Sequence, residues 1–275
     1  MQNMQNPASG LITTERKNLI IEVAKKSAQL ILQNGGETYR AEDTCSRICL
    51  YCGAKEVDVL AITTGIVLTV EFQTSARTVV ARISNRSINL QIVNKVNTIS
   101  RNIISGELSL ESANDILDEI IQRIESGESN KPINRFLTAV YAAFASSFFT
   151  LVFKGSFVEF LITILTAFSM TIISGYIGTL KLYSFINTLI SSVACAVFAV
   201  SSSLLIPGLR YDLVIIGSIM PLVPGLAITT AVRDTISGDL VSGTARLTEA
   251  FLIAVGIAAG VGIVIGIAIA AGVIA

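Results

Sequence analysis

Five runs without an ionisable residue, each fenced by one or two charges, constrain this chain more than anything else in it. Arg135 and Lys154 bound the first, Glu159 and Lys181 the second, Lys181 and Arg210 the third, Asp212 and Arg233 the fourth, and Glu249 opens the last. A helix crosses the hydrocarbon core of a bilayer with about 17–25 apolar residues. The runs therefore predict five spans, at about 136–153, 158–180, 184–206, 212–232 and 248–274. The net charge of zero conceals two different halves: residues 1–135 hold 15 Lys/Arg and 15 Asp/Glu, and residues 136–275 hold 5 of each. The first half can live in water; the second has too little polar surface to do so.

The expected fold class is an α-helical membrane protein with about five transmembrane helices, preceded by a small cytosolic α+β domain. Residues 1–14 read as a disordered N-terminus, 15–130 as the cytosolic domain and 131–275 as the transmembrane domain. Met1 to Gly10 is polar and carries no signal-peptide pattern. With the N-terminus in the cytoplasm, the inside flanks carry Lys131, Arg135, Lys181, Arg233 and Arg246, and the outside flanks carry Lys154 and Arg210. That bias follows the positive-inside rule and predicts a multi-pass protein of the cell membrane (inner or plasma) with an external C-terminus.

Within the first half, Ile20, Val23, Ser27, Leu30 and Ile31 recur at helical spacing over Glu15–Gln33. Asn34, Gly35 and Gly36 end that helix, and a second runs from about Glu37 to Tyr51. The period then switches to two: Ile66, Leu68, Val70 and Phe72, then Val79, Ala81 and Ile83, predict an antiparallel hairpin, with Val57–Ile62 as a third strand. Helical spacing returns at Ile88–Ile103, and Ser109 caps a last amphipathic helix. Ser126–Pro132 reads as the linker into the membrane.

Several chemistries are excluded or unsupported. The chain has no histidine, which removes most hydrolytic triads and the usual zinc sites. It lacks a P-loop, so transport would draw on a gradient or a partner rather than on ATP bound by that motif. Without a basic excess, nothing points to nucleic acid. Neither a catalytic residue, nor a metal, nor a cofactor is expected, and the chain does not read as an enzyme. Cys45, Cys49 and Cys52 have the C-x3-C-x2-C spacing of some cluster ligands, yet they also fall on one face of an amphipathic helix, where core packing explains them.

Two places concentrate functional chemistry. At the corner before the second helix, Glu37, Thr38 and Arg40 are either a capped surface turn or a vestibule or docking point. In the fourth run, Pro221, Pro224 and Gly225 must kink or break a helix. Such a break is either a packing kink or a midplane site of the kind transporters build from interrupted helices. Arg233, Asp234, Asp239, Arg246 and Glu249 follow, five of the ten charges of the second half within 17 residues. A helix restarting near Leu226 would offer free N–H groups to a carboxylate, with Arg233 and Arg246 guiding the anion and Asp234, Asp239 or Glu249 carrying a proton.

The corner Gly35-Gly-Glu-Thr-Tyr-Arg40, Ile88-Asn-Leu90, and Pro221-Leu-Val-Pro-Gly225 followed by Arg233-Asp234, Gly238-Asp239, Ser242-Gly243, Arg246 and Glu249-Ala250 resemble the threonine/serine exporter (ThrE) family, in particular its YjjP-type subunit. The resemblance runs from about residue 15 to 260. It implies proton-driven export of threonine and serine, or of succinate-like dicarboxylates. It also implies a partner: the longer members carry about ten spans, and in split systems a small YjjB-type membrane subunit supplies the half that this chain lacks. The other expected partners are a small-molecule substrate and the lipid bilayer, and a homo-oligomer is compatible with the sequence. The alternative reading is a membrane-anchored metabolite sensor or scaffold whose α+β domain binds the ligand.

Overall fold

The computed structural model describes residues 12–84, 86–126, 135–180 and 183–274. Expectations placed on residues 1–11, the 127–134 linker, Lys131, Lys181 and Ala275 lie outside them. In chain order the elements are α1 (Thr14–Gln33), α2 (Thr38–Tyr51), β1 (Glu56–Ile62), β2 (Gly65–Phe72), β3 (Ser75–Arg82), α3 (Leu90–Ile104), α4 (Leu110–Glu125), α5 (Arg135–Val152), α6 (Phe157–Thr179), α7 (Ser184–Leu205), α8 (Tyr211–Ile219), a 3-10 turn (Met220–Leu222), α9 (Gly225–Ile236) and α10 (Leu240–Ala270). Two compact units result. The described residues up to Ser126 group with Leu226–Leu247, and residues 135–225 group with Thr248 onward.

In the first unit, α1 buries Ile20, Val23, Ala24, Ser27, Leu30 and Ile31 along one stripe. Thr13 caps it by accepting the Arg16 N–H. β1, β2 and β3 form an antiparallel sheet in that order, with Val57 opposite Val70 and Leu68 opposite Val79. Alternate residues Ile66, Leu68, Val70 and Phe72 face the core beneath α1 and α2, as a period of two requires. Cys45 and Cys49 are fully buried in that core and Cys52 sits at its edge. Burial is the main influence that raises the Cys52 thiol, to about 11, well outside the range of a reactive thiolate.

The second unit has inverted polarity. On α5 the buried positions are Ala139, Ala143, Ser146, Ser147 and Thr150, whereas Phe144, Phe148 and Phe149 point outward. On α7 the buried positions are Thr188, Ser191, Ser192, Cys195, Ala196, Ala199 and Val200. Small and hydroxyl-bearing residues inside, with large apolar ones outside, is how helices pack closely where the surroundings are themselves apolar. Some of the hydroxyls are satisfied locally or across helices: Ser192 donates to the Thr188 carbonyl at 2.8 Å, and the Thr150 and Thr163 hydroxyls lie 2.9 Å apart, whereas the buried Ser146 hydroxyl has no hydrogen-bond partner among the described residues. One buried acid belongs to this unit. Glu159 closes a capping box with Ser156 and accepts the Arg210 backbone N–H at 3.2 Å, while Arg210 Nη2 donates to the Lys154 carbonyl at 2.7 Å. The turns before α6 and before α8 are thereby tied together.

Among the described residues, four helices, α5, α6, α7 and α10, are long and apolar enough to cross a membrane, and the interrupted pair α8 and α9 makes a fifth if it counts as one span. The expected break at Pro221–Gly225 is present: α8 gives way to the 3-10 turn, and α9 starts at Gly225. The helix that carries the last expected span, 248–274, is α10, which begins at Leu240. Gly238, at φ +95°, turns the chain out of α9.

Gly217 lets α8 approach α5 closely. A Cβ there would lie 2.0 Å from Thr150 Oγ1 and 3.1 Å from the Ser146 carbonyl oxygen. Gly217→Ala is expected to destabilise the solubilised protein by about 1–3 kcal/mol, the usual cost of overpacking. Adding Thr150→Ala should recover part of the loss. Equal thermal unfolding of the single and double variants would show that this contact does not limit the packing.

Candidate functional site

Two glycine turns bring together residues far apart in sequence. At the end of α1, Gly35 (φ +82°) makes the left-handed step, and the Gly36 N–H returns to the Ile31 carbonyl at 2.8 Å. Gly36 can be nothing larger, since a Cβ would meet Ile31 Cγ2 at 2.4 Å. At the end of α9, Gly238 repeats the manoeuvre, with the Asp239 N–H returning to the Asp234 carbonyl at 2.9 Å. α10 then packs back on α9 at Gly243, whose Cβ would meet Thr235 Oγ1 at 2.2 Å.

This folding-back closes a buried lock. Asp234 is 1 % exposed, and its carboxylate accepts the Thr38 backbone N–H at 3.1 Å and the Thr38 hydroxyl at 3.3 Å. Arg246 Nε lies 2.9 Å from Asp234 Oδ2, a charge contact whose N–H is not aimed for a hydrogen bond, and Arg246 Nη2 donates to the Gly36 carbonyl at 2.8 Å. One residue along in each segment of this lock is a counterpart pair, the half-buried Glu37 and the exposed Arg233. Glu37 accepts from Arg233 on Oε1 and from Arg40 Nε and Nη2 on Oε2, the latter at 3.2 and 3.1 Å. Burial alone would raise the Glu37 pKa; the hydrogen bonds from Arg233 and Arg40 outweigh it and hold the carboxyl below its usual range.

A second group of acids adjoins the lock. Glu42, one turn after Thr38 on α2, accepts the Ala61 N–H at 2.8 Å. Burial pushes its pKa up, the Ala61 hydrogen bond opposes this, and the charges of Asp239 and Asp234 push it further up. Asp239 is raised too, by burial first and by Asp234 second. Sequence reasoning missed Glu42; its position four residues after Thr38, on the same helical face, was the available signal.

Beside the Glu37 pairs, α2, α3 and α9 enclose a groove of about 360 Å³. α3 contributes Asn94 and Asn97, and α9 contributes Thr229, Thr230 and Arg233. Thus Glu37, Thr38 and Arg40 meet Arg233, Asp234 and Arg246 in the first unit, with Asp239 adjoining. Pro221, Pro224 and Gly225 belong to the second unit, as does Glu249, which is exposed on α10.

Long apolar helices with small polar interiors, together with a unit that carries a small sheet and a charged groove, define the class of a helical membrane protein. The chain belongs to the ThrE family, described as "Putative threonine/serine exporter", which matches residues 22–268. Comparison with curated proteins and with solved structures gives no match.

Removing one partner from a buried ion pair leaves the other uncompensated, so Asp234→Ala is expected to cost about 3–5 kcal/mol. The double variant Asp234→Ala/Arg246→Met should lose less than Asp234→Ala alone, as read from thermal unfolding in detergent. A loss below about 1 kcal/mol for Asp234→Ala would contradict a desolvated lock.

Because folding raises the Glu42 pKa, its contribution is fully present below the unfolded value of about 4.3 and is lost as pH rises through the folded value. Glu42→Gln keeps an acceptor for Ala61 but cannot ionise. Its melting temperature should exceed that of the wild type by a margin that widens from about pH 4.5 to 7.5. A margin independent of pH would refute the assignment.

Proposed function

We propose that this protein is a subunit of a secondary exporter that moves threonine, serine or succinate-like dicarboxylates out of the cell, coupled to protons and dependent on a small second membrane subunit. The observation that carries this reading is the family match over residues 22–268, nearly the whole chain. The Lys/Arg bias of the span ends favours a cytoplasmic first unit, the side from which an exporter loads.

The interrupted helix supports a carboxylate site. Beyond Pro224, α9 begins at Gly225, and the first N–H groups of a helix have no partner inside it. Together with the positive end of the helix dipole they favour an anion without a buried cation, whose desolvation is costly. Proton coupling calls for acids that can take up and release a proton. Glu42 and Asp239, both raised, join Asp234 and Glu249 as candidates.

Counterflow of labelled threonine, serine and succinate in proteoliposomes tests the reading. Exchange should require both subunits, and a pH gradient should accelerate it. Pro224→Ala/Gly225→Ala should abolish it while leaving insertion intact, because a continuous helix no longer exposes those donors. Full exchange by this chain alone would exclude an obligate partner. Wild-type exchange by the double variant would exclude the broken-helix site.

A further inference from the structure

We infer that the groove between α2, α3 and α9 is a binding site for a small α-amino acid in its zwitterionic form, and that Glu37 sets its preference for such a zwitterion over a dicarboxylate. The identity of the ligand rests on the export reading; the site itself rests on the groove.

Each wall of the groove carries a distinct polarity. A guanidinium has five N–H donors. Arg40 places two of them on Glu37 and Arg233 places one there, so both retain donors on the groove side for a carboxylate. Thr229 and Thr230 donate their hydroxyl protons to the Leu226 carbonyl at 3.0 and 2.8 Å. Their oxygens are thereby left as acceptors, which suits an ammonium. Asn94 and Asn97, one turn apart on α3, add amide groups able to serve either end of the ligand or a side-chain hydroxyl. Leu90, Val93 and Leu226 complete the lining with apolar surface, and a volume of about 360 Å³ lies in the range of small-molecule sites.

Charge decides between ligands. Two arginines and one glutamate give the groove a net charge of +1. A zwitterion can place its carboxylate on the guanidiniums and its ammonium on the threonine and asparagine oxygens with both charges answered. A dicarboxylate brings two negative charges to a groove that offers one net positive. Glu37 therefore does two things: it holds Arg40 and Arg233 in position, and it removes the second positive charge that a dicarboxylate would need. The arrangement also accounts for Arg233 standing exposed while its neighbour Asp234 is buried.

Isothermal titration of the full-length protein in detergent with L-threonine, L-serine and succinate tests this. The wild type should bind threonine and serine more tightly than succinate. Asn94→Ala/Asn97→Ala, which lies outside the buried lock, should weaken threonine at least tenfold with an unchanged melting temperature. Glu37→Gln should shift the preference toward succinate by about tenfold or more. Absence of threonine binding to the wild type, or equal threonine affinity in the wild type and the asparagine double variant, would overturn the site. An unchanged threonine-to-succinate ratio in Glu37→Gln would overturn the role of Glu37. Groove-dependent binding without counterflow in the presence of the partner subunit would instead defeat the export reading and leave the groove standing. Counterflow with a wild-type KM in the asparagine variant would do the reverse.

Discussion

The carboxylate of Asp234 is the point on which the first unit depends. Its burial would be prohibitive without partners, and the fold supplies them from two directions: the first turn of α2 gives the Thr38 N–H and hydroxyl, and α10 gives the Arg246 guanidinium. Neither can reach it unless Gly35 and Gly36 release α2 at the correct angle and Gly238 returns the chain from α9 to α10. The Glu37–Arg233 pair follows from this geometry, because each of its members is the sequence neighbour of a locked residue. The groove is therefore held from behind by a buried ion pair, and its charged wall inherits the rigidity of that pair.

Such an arrangement separates two tasks that one charged residue often performs at once. Asp234 and Arg246 are enclosed and bind protein groups; Glu37, Arg40 and Arg233 face the groove and keep unmet hydrogen-bonding capacity. Glu42 and Asp239 form a third tier, acids beside the lock that burial and the charge of Asp234 make easier to protonate.

Local structure was legible from the sequence because local rules governed it. The buried stripe of α1, the alternation of β2 and the glycine exits each appear as a spacing, and the elements lie within a residue or two of where the spacing put them. The break between Pro221 and Gly225 was equally readable, since proline cannot donate a hydrogen bond. What no spacing reveals is the pairing of Thr38 with Asp234 or of Gly36 with Arg246, which lie 196 and 210 residues apart. The corner and the charge cluster could be singled out separately, yet their union depends on the turns around α9. Asn94, Asn97 and Glu42 gave no motif at all, and only the packing of α2 and α3 gives them a context.

The inverted polarity of the second unit changes what evolution can do with it. In a water-soluble protein the surface drifts and the core is held. In this unit, the outward phenylalanines of α5 need only be large and apolar, so they can exchange among many residues. The inner line of Ala139, Ala143, Ser146 and Thr150 is buried, and close packing there leaves little room for a larger side chain. Sequence divergence among such chains would then be greatest on the outside of each span and least along seams of small residues. A conserved glycine or serine in these spans would record how closely two helices approach, and would carry no implication that it touches a substrate.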